Sequence, residues 1–137
     1  GITPTYSIGS TDLHSMAQLY LGGPFDKFTT FVHLKHNKQA VILPNYLEYA
    51  SLVEGIQNKP MREIMNAIYE GVKTAFSKGK RPFIEIELPD KSEVSIGQFL
   101  QFKMIETMMI GALLEVNPFD QPNVEAYKKE TRKILKG

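Results

Sequence analysis

The chain has no cysteine, which excludes disulfides, thiolate metal sites and a cysteine nucleophile and fits a reducing compartment. It also has almost no net charge, since 16 Lys and Arg against 15 Asp and Glu leave +1. The basic residues are scattered, so neither nucleic acid nor a membrane surface is implied as a partner. There is no long uncharged apolar run and no signal-like start, so a cytoplasmic protein without a membrane span is expected. The 137 residues, 42% hydrophobic and 23% charged, suffice for one domain with a real core but not comfortably for two.

Residues 1–9 carry Pro4 and Gly9 and show no period, which reads as a loop or a severed connection. Ser10 is then expected to cap a helix, with Leu13, Met16, Ala17, Tyr20 and Leu21 at helical spacing and Gly22-Gly23-Pro24 as its stop. His14 falls in the first turn, where the positive end of the helix dipole favours a neutral ring able to accept a proton. A local hydrogen-bonding role is the plainer alternative. Residues 27–35 (KFTTFVHLK) read as a strand, and 39–43 as a possible second one after a turn at 36–38. His33 and His36 have no third ligand nearby and read as solvent-exposed rather than as a metal pair. Pro44 and Asn45 are expected to open a helix to about Gly55. Pro60 opens another, in which Met61, Ile64, Met65, Ile68, Val72, Ala75 and Phe76 form an apolar stripe that runs to Gly79. The basic group Lys78, Lys80 and Arg81 that follows would complement the helix dipole, with phosphate binding the lesser alternative.

Residues 81–88 (RPFIEIEL) are the clearest strand. Glu85 and Glu87 alternate with isoleucines, which suggests one wet face and no catalytic role. Ser95 and Gln98 form a capping box for a helix over 96–116 that is apolar almost all round and so is expected to be the most buried. At about 30 Å it can carry the Asn117 loop across a small domain. Gly111 inside it costs about 1 kcal/mol against alanine, a cost tolerated where another backbone comes close. Asn117-Pro118 ends that helix; Asp120 can cap the next, with Pro122 in its first turn. Gln121 and Lys128, seven residues apart, share one helical face with Glu125 between them. An amide and an ammonium so placed suit an anionic, hydroxyl-rich ligand, while an ordinary surface helix with a Glu125–Lys129 pair is the alternative.

The string FDQPNVEAYK at 119–128 resembles the C-terminal signature of the glucose-6-phosphate isomerase family. PTYSIGSTDLHSMAQ at 4–18 is similar to the same family's histidine-bearing segment, in the same chain order. Between the two the likeness is looser but spans nearly all of the chain. One departure is Asn123, where the family usually has glycine. Asparagine tolerates left-handed and cap conformations better than other non-glycine residues, so the backbone is expected to be kept.

The order of elements, helix, strand, helix, helix, strand, helix, helix, indicates an α/β layered domain with a mainly parallel sheet. The resemblance implies an α/β/α sugar-isomerase-type domain, incomplete in this chain: residues 1–137 as a C-terminal portion, with 117–137 carrying the signature. It further implies interconversion of glucose 6-phosphate and fructose 6-phosphate through an enediol(ate), in glycolysis and gluconeogenesis, with no cofactor and no metal. His14 and Lys128 would be catalytic in ring opening, Gln121 would bind substrate and Glu125 would support Lys128. The complete protein would be a homodimer, with the histidine contributed across the interface. The general-base glutamate, an arginine and a phosphate-holding serine and threonine loop would lie upstream of the first motif. The alternatives are a non-catalytic sugar-phosphate-binding or dimerisation module of the same fold, and an isomerase domain of a fused bifunctional enzyme.

Overall fold

β-Branched and aromatic residues make β1 (Thr29–Leu34), and its partner is β2 (Phe83–Leu88). In the computed structural model, which describes residues 2–35, 41–49 and 52–136, the two run parallel, from Thr29 opposite Phe83 to Leu34 opposite Leu88. Parallel strands need a crossover, and α2 (Met61–Lys78) lies within it. The other helices are α1 (Leu13–Gly22), α3 (Glu93–Leu113) and α4 (Pro122–Lys136), so the fold is mixed α/β with a two-stranded parallel sheet among the described residues. No helix among them is long and apolar enough to cross a membrane. The chain divides into two compact units, Ile2–Lys91 and Ser92 onward.

In the first unit α2 meets one face of the sheet through Tyr69, Lys73 and Phe76, of which only Phe76 belongs to the apolar stripe. Phe76 is the one buried hydrophobic side chain among the described residues, with its ring centroid 5.1 Å from that of Phe31 and 6.1 Å from that of Phe83. Both glutamates of β2 occur on this same face, by the alternation of a strand. The face expected to be wet is therefore the one α2 covers in part. Both glutamates stay exposed as expected, at 36% and 48%, and the isoleucine face is no better covered: Val32 and Ile84 are 46% and 42% exposed. Alternation gave the two faces correctly, but only packing decided which one α2 would meet.

The helix ends differ in detail from expectation. Ser10 lies in a turn at φ 72° rather than at the cap, and α1 starts after Asp12, whose Oδ2 accepts a bond from the Ile8 N–H at 2.6 Å. Gly79 does end α2, but the left-handed residue is Lys80 at φ 52°. The Lys80 and Arg81 amides close the helix end on Ser77 O at 3.1 Å and Phe76 O at 2.9 Å. In place of a second strand, Ile42 makes an isolated antiparallel bridge to Pro60; residues 39 and 40, and the turn at 36–38 with His36, lie outside the described residues. The helix expected from Pro44 to Gly55 is, as far as described, a 3-10 turn at Leu47–Tyr49 and a turn at the left-handed Gly55; residues 50 and 51 lie outside the description. The helical expectation rests on Tyr46, Leu47, Tyr49, Leu52 and Val53, apolar or aromatic residues whose spacing suits a helical face.

In the second unit Ser92, not Ser95, caps α3, accepting from the Ser95 N–H at 3.3 Å; Ser95 sits one turn inside and is buried. The expectation that this helix is the most buried is wrong for the described residues, since Leu100, Met104, Met109 and Leu113 are all more than half exposed. A helix apolar all round signals that cover is needed, not that it is present.

Candidate functional site

The loop leading into α4 is held from both sides. Pro118 packs on buried Gly111, where an added Cβ would stand 2.9 Å from Pro118 Cγ, so the expected close approach is made by a proline ring. The Phe119 N–H donates to Asn117 Oδ1 at 3.0 Å, which turns the chain. The carbonyl of Gln121 accepts from the Val124 N–H at 3.0 Å and the Glu125 N–H at 3.2 Å. Gln121 rather than Asp120 thus occupies the capping position, with Pro122 as the first helical residue. Asn123 is the second helical residue with a negative φ, so the backbone does not require glycine there. Lys128 Nζ is 2.8 Å from Glu125 Oε1, an i,i+3 pair in place of the Glu125–Lys129 pair of the alternative reading. Gln121 and Glu125 are exposed and Lys128 is half-exposed. A half-exposed ammonium steered by a carboxylate one turn away can meet negative charge on a ligand.

His14 is the second residue of α1 and is exposed. It belongs to the first compact unit and the α4 residues to the second.

Sequence reading missed a polar cluster between α2 and the sheet. The Tyr69 hydroxyl donates to Glu85 Oε2 at 2.7 Å, Lys73 Nζ is 2.9 Å from the same oxygen, and His33 Nε2 is 3.9 Å from it. Lys73 also reaches Glu70 at 3.2 Å, and Lys35 lies 3.6 Å from Glu87. His33 is therefore not the freely exposed residue expected: its side chain is about one-quarter exposed, with its ring 4.6 Å from that of Tyr69. Burial, then donation to Glu85, pushes the Tyr69 phenol well above its ordinary value. The Tyr69 and Lys73 hydrogen bonds hold Glu85 below the usual carboxylate range, and Glu85 in turn raises Lys73. The i,i+4 spacing of Tyr69 and Lys73 was readable; the strand register that sets Glu85 opposite Phe31 was not.

These shifts fix the sign of a pH effect. A depressed carboxylate stabilises the fold above its unfolded value near 4.5, and that contribution is lost as pH falls through the lower folded value. A raised phenol stabilises below its unfolded value of 10.0, and that contribution is lost as pH rises through the higher folded value. In urea titrations across pH, Glu85→Gln should flatten the acid limb of stability and Tyr69→Phe the alkaline limb. Unchanged limbs in both variants would mean the cluster is not formed in solution.

The chain matches no protein-family model. It is similar to glucose-6-phosphate isomerases from Carboxydothermus hydrogenoformans (34% identical, 98% of this chain, 29% of that protein) and Rubrobacter xylanophilus (34%, 96% and 30%). A third, from Streptococcus equi subsp. zooepidemicus, is 36% identical over 98% of this chain and 30% of that protein. Among solved structures, a hypothetical protein from Thermus thermophilus superposes with a TM-score of 0.81 at 34% identity, covering 94% of this chain and 31% of that one. The chain thus spans about three tenths of the length of the relatives it matches, and its resemblance to glucose-6-phosphate isomerase runs along nearly its whole length.

Proposed function

We propose that this chain is a portion of a glucose-6-phosphate isomerase, the part that supplies His14 and the Gln121–Lys128 helix to the interconversion of glucose 6-phosphate and fructose 6-phosphate. The observation that carries the reading is the likeness over 98% of the chain to isomerases that are themselves more than three times as long. Residues 1–137 are then part of a C-terminal sugar-isomerase domain, with the signature in 117–137. The complete protein is a cytoplasmic homodimer acting on a sugar phosphate.

In this reading the substrate ring must open before a proton can move between C1 and C2. The His14 imidazole transfers the ring-opening proton, and the Lys128 ammonium stabilises the oxygen on which negative charge develops. Glu125, 2.8 Å from Lys128, keeps the ammonium in one rotamer without taking its proton. Gln121, at the start of the same helix, offers an amide to substrate hydroxyls. No step in this scheme calls for a metal or cofactor. The base that shuttles the proton comes from another part of the protein.

Lys128→Ala in the complete protein should lower kcat by about 10- to 100-fold with the fold intact, because a half-exposed lysine supports little packing. Lys129→Ala is the control. It points about 100° away around the helix and should change nothing by more than about 0.5 kcal/mol. Equal effects from the two lysines would sink the placement of the site. A module that only holds phosphorylated sugar would show weakened binding with no turnover to lose.

A further inference from the structure

Helix α1, which carries His14, buries no residue of its own. Its nearby ties are short in sequence: Ile8 N–H to Asp12, and a 2.6 Å hydrogen bond between the hydroxyls of Ser7 and Tyr20. Its long-range tie comes from Arg81, at the entry to β2. Arg81 Nε and Nη2 donate to Leu21 O at 3.0 and 2.6 Å, Nη2 donates to Gly23 O at 2.8 Å, and Nη1 donates to Pro24 O at 3.2 Å. The guanidinium also stacks 4.8 Å from the centre of the Phe25 ring. These carbonyls belong to the last turn of α1 and the residues just after it, where the helix dipole is negative. The arginine itself is pinned, since its own N–H closes the end of α2 on Phe76 O at 2.9 Å.

We propose that Arg81 is a positioning residue for His14, setting the direction of α1 by clamping its C-terminal end; the proposal rests on the reading of His14 as the ring-opening residue. The lever is simple. His14 stands seven residues, about 10 Å, up the helix from Leu21, so a tilt of roughly 6° at the clamp carries it about 1 Å. A displacement of about that size can cost a hundredfold in rate when a proton must pass between aligned atoms. The planar fork spreads its donors over the carbonyls of Leu21, Gly23 and Pro24 while its face lies on Phe25. A lysine ammonium in its place keeps the charge but not the geometry.

The test compares two substrates in the complete isomerase. Fructose 6-phosphate must be opened, whereas 5-deoxyfructose 6-phosphate lacks the hydroxyl that closes the ring and is always open-chain. Arg81→Lys and Arg81→Ala should each lower kcat on fructose 6-phosphate about tenfold or more, with KM changed less than about threefold, and leave kcat on the open-chain substrate within about threefold. His14→Gln measured alongside should show the same selectivity. Loss on both substrates means a merely structural arginine, and no loss on either means that the clamp is not needed; each overturns the proposal. If His14→Gln itself spares ring-closed substrate, the reading of His14 has failed, and the proposal falls with it for a distinguishable reason.

Discussion

Assayed by itself, the 137-residue polypeptide should turn over fructose 6-phosphate at least about 10² to 10⁴ times more slowly than an ordinary enzyme, which works at about 10 s⁻¹. Moving a proton between C1 and C2 takes a base poised to accept it. Two of the chain's carboxylates are held by partners of their own. Glu125 is ion-paired to Lys128 at 2.8 Å, and Glu85 accepts from Tyr69 and pairs with Lys73, which holds it below the usual carboxylate range and weakens it as a base. The chain spans about three tenths of the isomerases it matches, and in the proposed scheme the base comes from the remainder. A coupled assay following glucose 6-phosphate decides the matter. Turnover near 10 s⁻¹, about the ordinary enzyme rate, would place the base within these residues and overturn the scheme.

Phe76→Ala should cost about 3–5 kcal/mol of stability in the first unit, a large part of the roughly 5–15 kcal/mol that holds a typical domain together. Phe76 is 2% exposed and meets Phe31 and Phe83 edge-on, while Phe31 in turn meets Phe83 at 5.2 Å and Tyr69 at 5.9 Å. Truncating it empties the place where α2 meets the sheet, and the rigid strands can close the gap only in part. Ile134→Ala, at a side chain 80% exposed on α4, should cost no more than about 0.5 kcal/mol in the same polypeptide. Denaturant titration followed by circular dichroism reads both. A Phe76 variant as stable as the parent would mean that the aromatic cluster is not the core.

Local order decided much on its own. The α2 stripe, its Pro60 start, the strands at 29–34 and 83–88, and the proline that opens α4 follow from side-chain periodicity and backbone preferences, which act between residues a few positions apart. The two motifs at 4–18 and 119–128 were likewise legible as strings, and so was the nearness of Glu125 to Lys128, since one helical turn brings them together. Tertiary structure decided what no local rule reaches. Strand pairing set Glu85 opposite Phe31, and packing brought Tyr69 and Lys73 onto it from α2. Arg81 reached back across some sixty residues to the end of α1, where sequence offered only a basic cluster after a helix. The exposure of α3 was beyond reading as well. Periodicity reports which side chains seek cover, whereas burial depends on which surfaces meet, and that is a property of the folded whole.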